Sequence, residues 1–284
     1  MGGFRLVAPA SEAGVLAELA SGPPGTVALL AGGTDLLLDV DEGRADPRTV
    51  VSLRRLPWAT HAWGPDGLTI GSTEPLRGLE QDPRLGDRLP ALAEAIAAVG
   101  SPALRRQATV GGNLGRAAPA SDLAPALLAL DAEVELLGPE GRRTVPLAGF
   151  LRSSRRTALG ATELIRAVRL PESRPASAYL WQRVRPANDI SQIGVAVAYS
   201  TRRDRWRIAL GGVPPRAVDA PEAEAPLRGA RPAEAAVRAA AERLGAHPAL
   251  VGDRRATGEH RRRLAAVLCA RAVTAAVTSA GGRR

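Results

Sequence analysis

Leu29-Leu30-Ala31-Gly32-Gly33-Thr34-Asp35-Leu36-Leu37 is the stretch on which the reading of this chain turns. Val27 to Ala31 is a compact apolar run, which predicts a short buried strand, and Gly32-Gly33 halts it. Thr34 or Asp35 then caps a following turn, Leu36 to Val40. A glycine pair at the C-terminal end of a buried strand lets backbone N–H groups approach an anion closely, because no Cβ intervenes. Further on, Ala108-Thr109-Val110-Gly111-Gly112-Asn113-Leu114 repeats the recipe, with a hydroxyl neighbour in Thr109 and both a donor and an acceptor in Asn113. Downstream, Ser121 and Asp122 add polar groups close to a helix start, where a carboxylate suits ribose hydroxyls or an amide. Two such loops facing each other are suited to the two phosphates of a dinucleotide. Either loop alone is also an ordinary turn. Neither fits G-x-G-x-x-G or G-x-x-x-x-G-K-[ST], so a Rossmann or P-loop assignment fails on residues.

Outward from these loops the elements fall in a readable order. Residues 11–20 predict an amphipathic helix with Val15, Leu16 and Leu19 on one side, and Val50 to Leu53 a second strand, giving a small βαβ-like unit. Leu68 to Gly71 is a strand, and Leu89 to Val99 a helix ending at Gly100. Asp122 is the expected N-cap of a helix through Leu130. Val134 to Leu137, Thr144 to Leu147 and Leu164 to Leu170 complete an antiparallel set, and Pro171 to Pro175 reads as a linker. Ala178 to Val184, Ile193 to Tyr199 and Trp206 to Leu210 alternate as strands of a second sheet. Helices at about 232–244 and 259–278 follow.

Composition removes several function classes. The net charge of +9 comes entirely from arginine, and without lysine there is no Schiff-base lysine or P-loop lysine. Only 3% of residues are aromatic and the arginines are dispersed, so nucleic acid is not an expected partner; Arg261 to Arg263 reads as one solvated helix face. The single Cys269 excludes an internal disulfide and an iron–sulfur cluster held by this chain alone. His61, His247 and His260 lack metal-ligand spacing and read as solvated, so no metal site is expected. No run approaches the roughly 20 apolar residues of a membrane span, and Met1 to Pro9 has no apolar signal core, so a cytoplasmic protein is expected.

Taken in order, these stretches resemble the FAD-binding medium subunit of the xanthine dehydrogenase and aerobic carbon monoxide dehydrogenase family, the molybdenum hydroxylases. Leu29 to Leu37 is the first signature. The second, more specific one is Ala108 to Leu114 running on to Ala118-Pro119-Ala120-Ser121-Asp122, with Leu127 to Ala132 after it. Arg183 to Ile190 resembles the family's R-x-x-x-D-I segment, Ile208 to Val213 its C-terminal sheet, and Gly252 to Ala256 with Arg261 to Leu268 its closing helix. The resemblance covers nearly the whole chain.

It implies an α+β protein. Residues 1–172 would form an FAD-binding half of the vanillyl-alcohol-oxidase or PCMH type, with α/β subdomains at about 1–55 and 56–172. Residues 176–284 would form a C-terminal domain of a three-stranded antiparallel sheet with helices. Carried over residue by residue, Leu30, Ala31, Gly32, Gly33, Thr34, Asp35 and Leu36 with Thr109, Gly111, Gly112 and Asn113 would embrace the pyrophosphate and ribityl. Ser121 and Asp122 would also touch the cofactor, and Val99, Gly100, Ala108 and Ile165 would lie near the flavin ring. The implied work is electron transfer through FAD, bound without a covalent link, from [2Fe-2S] clusters on a small partner subunit to NAD, a quinone or oxygen. A large molybdopterin-binding subunit would hydroxylate the substrate. The redox chemistry is the cofactor's, so no catalytic acid or base is nominated.

Two positions depart from the family pattern. Leu38-Asp39-Val40 stands where Met-Lys is often found, and Trp181 where a lysine often lies near the flavin. Trp181 reads at least as well as a packing residue as one stacked on the ring, and Tyr179 and Tyr199, the other candidates to cover a ring face, read first as packing residues in their strands. Two other functions are compatible with the same residues: a free-standing FAD-dependent oxidase or reductase, and a flavin-binding assembly protein without turnover.

Overall fold

The structure, a computed structural model, describes residues 3–23, 25–172, 175–185 and 189–281. The expected linker 171–175 and the motif segment 183–190 therefore lie partly outside the described residues.

Short apolar strands alternating with helices oblige crossovers, and crossovers make a parallel sheet. The first unit is of this kind: β1 (Arg5–Val7), α1 (Glu12–Ala20), β2 (Val27–Leu30), α2 (Leu36–Asp41) and β3 (Thr49–Ser52), in spatial order β1-β3-β2. Ser11 starts α1 by accepting the Gly14 N–H on its hydroxyl oxygen at 3.1 Å. The helix buries Val15 and Leu19 against Val51 and Leu53, in a core that continues to Leu137 and Leu164 of the next unit.

The second unit opens with β4 (His61–Gly64) and β5 (Gly67–Gly71). A helical excursion follows: α3 (Leu76–Glu80), α4 (Leu85–Arg88), α5 (Pro90–Ala98), α6 (Pro102–Arg105), α7 (Val110–Arg116) and α8 (Leu123–Ala129). The chain returns through β6 (Glu133–Gly138), β7 (Gly141–Pro146), α9 (Leu147–Phe150), the hairpin β8 (Leu151–Ser153) and β9 (Arg156–Thr157), and β10 (Leu164–Leu170). The resulting five-stranded sheet, β4-β5-β10-β6-β7, is antiparallel throughout. Its buried face, with Ile70, Val134, Leu136 and Val168, packs under the apolar sides of α5 and α8.

In the third unit β11 (Ala176–Gln182), β12 (Ile193–Ser200), β13 (Arg205–Gly211) and β14 (Val218–Asp219) pair in sequence as an antiparallel sheet. Four strands replace the expected three, because Val218–Asp219 adds a two-residue edge too short to show an alternating pattern. After α10 (Pro221–Glu224), helices α11 (Glu234–Gly245) and α12 (Gly258–Gly281) close one face of this sheet around Leu244, Leu268 and Val273. The Arg261 side chain is not solvated as expected. It is wholly buried, donating to the carbonyls of Gln192 (2.9 Å) and Val251 (2.6 Å) and pairing with Asp253 at 2.8 Å.

The second and third units are pinned together at Asp122. Its carboxylate was the expected cap of α8, yet it makes no capping bond; the Ser121 hydroxyl oxygen accepts the Ala124 N–H instead, at 3.1 Å. Asp122 accepts from the hydroxyls of Tyr179 and Ser191, each at 2.6 Å, and from the Arg183 guanidinium at 2.9 Å. Burial pushes the Asp122 carboxyl above its usual range, and these three donors pull against that shift. Glu94 of α5 covers the edge of β11 by accepting the Tyr179 N–H at 2.6 Å. Asp122→Ala leaves Arg183 buried without its partner and is expected to cost about 3–5 kcal/mol. A fall in the urea midpoint with an unchanged slope would show it; an unmoved midpoint would remove Asp122 from this role.

Candidate cofactor site

Leaving the sheet at Leu30, the chain passes through two glycines required for different reasons. A Cβ on Gly32 would lie 1.8 Å from the Gln107 carbonyl oxygen, so no other residue permits this backbone-on-backbone contact. Gly33 has φ +77°, a left-handed conformation that side chains rarely adopt. The first loop is thereby pressed against the segment entering the second.

That second segment is less a loop than a helix start. Thr109 caps α7, its Oγ1 accepting the Gly112 N–H at 3.0 Å, so Gly111 and Gly112 form the first turn. Gly111 donates its N–H to the Ser72 carbonyl at 3.0 Å, and a Cβ there would meet that oxygen at 2.5 Å. Asn113 follows on the same turn and accepts from the Ser121 hydroxyl at 2.6 Å, which leaves its amide nitrogen as the free donor.

A cavity of about 450 Å³ lies between the loops. Of the residues singled out in the sequence, Ala31, Gly32, Gly33, Thr34, Asp35, Leu36, Val99, Ala108, Thr109, Gly111, Gly112, Asn113 and Ile165 line it together. Leu30, Gly100, Ser121 and Asp122 do not line it. Leu30 ends β2, Gly100 turns the chain after α5 at φ +48°, Ser121 holds Asn113, and Asp122 is occupied by the third unit. Among the described residues, the N–H groups of Gly32, Gly33, Thr34 and Asp35 donate to no protein acceptor. Successive unpaired N–H groups bordering a cavity are an anion cradle.

Sequence reading missed the charged frame around the cradle. Asp39, also a lining residue, is held by Arg116 of α7 and by Arg44, the latter at 2.7 Å, and Arg116 further reaches Asp35 at 3.3 Å. The hydrogen bonds from Arg116 and Arg44 bring the Asp39 carboxyl down to about 2, against the opposing effect of burial. On the other wall Glu163 accepts the Gly160 N–H at 2.7 Å and both Arg143 contacts at 2.6 Å, and Arg143 keeps it below the usual carboxylate range. The available signal was spacing: Asp35 and Asp39, like Gly112 and Arg116, are one helical turn apart and share a face. Leu29, Leu53, Leu104 and Leu164 are among the cavity's apolar wall residues.

Other expectations resolve locally. Trp181 does not line the cavity; it stacks on Tyr179 with ring centroids 5.5 Å apart, and the Arg183 guanidinium lies 5.6 Å from its ring. Tyr179 and Tyr199 are core residues, the latter paired with Trp206 at 5.3 Å. His61 is half-buried rather than solvated, held between Glu74 at 2.9 Å and Asp82 at 3.1 Å. Among the described residues, no group of three or more His, Cys, Asp or Glu is placed to hold a metal ion, and no helix is long and apolar enough to cross a membrane.

Two glycine loops bordering one cavity between a parallel and an antiparallel sheet, with a third α+β unit docked on the second, define a flavoprotein class, and sequence comparison places the chain in it. Residues 2–173 match the family described as "FAD binding domain in molybdopterin dehydrogenase", and residues 178–276 match "CO dehydrogenase flavoprotein C-terminal domain". This chain belongs to the FAD-binding medium-subunit family of the molybdenum hydroxylases, oxidoreductases of several subunits. It is 30% identical to the xanthine dehydrogenase FAD-binding subunit of Escherichia coli O157:H7 over 263 residues, 90% of each chain. It is also 30% identical to the carbon monoxide dehydrogenase medium chain of Hydrogenophaga pseudoflava, over 87% of this chain and 88% of that one. A solved structure of carbon monoxide dehydrogenase from the latter organism superposes with TM-score 0.88 at 29% identity, over 98% of both chains.

Two substitutions separate close approach from mere glycine content. Gly32→Ala forces the loops apart and is expected to cost about 1–3 kcal/mol, whereas Gly86→Ala in α4 meets nothing within 4 Å and should be neutral or stabilising. Equal midpoints for the two variants in thermal melts would contradict the contact. The lowered Asp39 carboxyl has a pH signature. Its contribution is complete above the unfolded value near 3.8 and is lost as pH falls to about 2. Acid unfolding of Asp39→Asn should lack that component, and a profile parallel to that of the native chain would refute the pairing.

Proposed function

We propose that this chain carries FAD without a covalent link as the electron-transfer subunit of a molybdenum hydroxylase complex, between [2Fe-2S] clusters on a small partner chain and an acceptor that is NAD, a quinone or oxygen. A large molybdopterin-binding partner would oxidise the substrate. One observation carries the reading: a single cavity is bordered by both glycine loops, with a row of unpaired backbone donors on one side. The residues fit the group. The glycines at 32 and 111 let their loops close onto the Gln107 carbonyl and onto Ser72, which leaves both loops bordering one cavity, and about 450 Å³ of lined space is within the range of cofactor sites.

FAD, when bound, supplies the redox chemistry. The chain's own residues bind and shield. The N–H groups of Gly32 to Asp35 would hold the diphosphate, Asn113, oriented by Ser121, would donate its amide, and Val99, Ala108 and Ile165 would exclude water beside the ring. Leu30, Gly100, Ser121 and Asp122 would act from behind that wall. His61, His247, His260 and Cys269 are not among the lining residues, which supports a non-covalent bond. The domain limits we propose are 1–172, with subdomains divided near 55, and 176–284. The complex would be cytoplasmic.

The test is reduction of the flavin by the partners. The purified chain loaded with FAD should lose its yellow absorbance when large and small subunits and their substrate are added together, and not with that substrate alone. Bleaching of the isolated chain by the substrate without partners would point to a free-standing oxidase or reductase, and no bleaching by the complete mixture would refute the relay.

A further inference from the structure

Ser72 follows β5 and stands beneath the second glycine turn. Its carbonyl oxygen accepts the Gly111 N–H at 3.0 Å, and its own N–H donates to the Arg166 carbonyl at 3.1 Å, so its backbone is fixed on both sides. The side chain is not. Ser72 is 3% exposed and lines the cavity, yet its hydroxyl has no hydrogen-bond partner among the described residues. A buried hydroxyl left unpaired costs about 1–3 kcal/mol, so the fold by itself is better served by alanine.

The glycines of the second cradle offer no free backbone donors. The N–H of Gly111 is committed to Ser72 and that of Gly112 to Thr109, whereas the N–H groups of Gly32 to Asp35 across the cavity are unclaimed. A ligand crossing between the loops thus meets backbone donors on one side and side-chain donors on the other, the Asn113 amide and the Ser72 hydroxyl. Resting on the FAD reading above, we propose that Ser72 is a cofactor-binding residue whose hydroxyl turns about χ1 to donate to a diphosphate oxygen. A neutral donor to an anionic oxygen forms a strong, short bond. The same contact would satisfy the one polar atom of Ser72 that the fold leaves alone.

The experiment titrates FAD, ADP and riboflavin into the deflavinated full chain and into Ser72→Ala. The variant should bind FAD and ADP about tenfold more weakly and riboflavin within about twofold of the native chain. Its ligand-free form should melt at the native temperature or higher, because an unpaired hydroxyl has been removed. A structural hydroxyl would do the opposite, so a lower melting point overturns the assignment. FAD affinity within about twofold of native, or an equal loss for riboflavin, overturns it as well. If the native chain bound neither FAD nor riboflavin, the reading of the cavity itself would fall, and this assignment with it.

Discussion

The α-carbon of Gly32 against the Gln107 carbonyl is the contact on which the site depends. Both partners are backbone, so neither can yield by a change of rotamer, and 1.8 Å of would-be Cβ clearance leaves one residue type for the position. The contact brings a loop of the parallel first unit onto the helical excursion of the antiparallel second unit, and the cavity is the space left beside it. Gly111 repeats the device within the second unit, lying on Ser72. Gly211 repeats it between the second and third units, where a Cβ would come 2.6 Å from Pro125. The joints of this molecule are made by glycine approaches, which trade side-chain burial for distance.

The third unit then stiffens what the glycines bring together. Arg183 bridges Asp122 and the Ala98 carbonyl, and Ala98 immediately precedes the wall residue Val99. With Tyr179 and Ser191 on the same carboxylate, the end of α5, the start of α8 and the edge of β11 become one rigid corner. Low local dielectric strengthens each of these bonds and raises the cost of losing any one.

Much of this was legible in sequence because it is local. The strand-glycine-helix passage at 27–41, the ladder strands and the two last helices follow from patterns a few residues long. Other features were not, each for its own reason. β1 and β14 have three and two residues, shorter than a pattern needs. α7 begins with glycines of poor helix propensity and exists because Thr109 caps it and Gly111 is held on Ser72. Asp122 is held away from the cavity lining by Tyr179, Arg183 and Ser191, partners 57 to 69 positions away that no local pattern shows. Arg261 looked solvated in a run of three arginines, yet two carbonyls and Asp253 bury it.

The charge of the site is the least intuitive consequence. A chain with a net charge of +9 has cations to spare for a diphosphate, but the arginine in this lining is already matched. Arg116 faces Asp39 and Asp35, and Asp39 faces Arg44 as well, so the group carries no net positive charge. Two carboxylates and two guanidiniums in contact cancel at the distance of a bound ligand, and what remains nearby is a set of oriented N–H dipoles. Recognition would then rest on where the loops point rather than on charge attraction. The role left for Arg116 is geometric: it ties α7, which carries the second glycine pair, to α2, which begins where the first loop ends, and so fixes the distance between the two cradles.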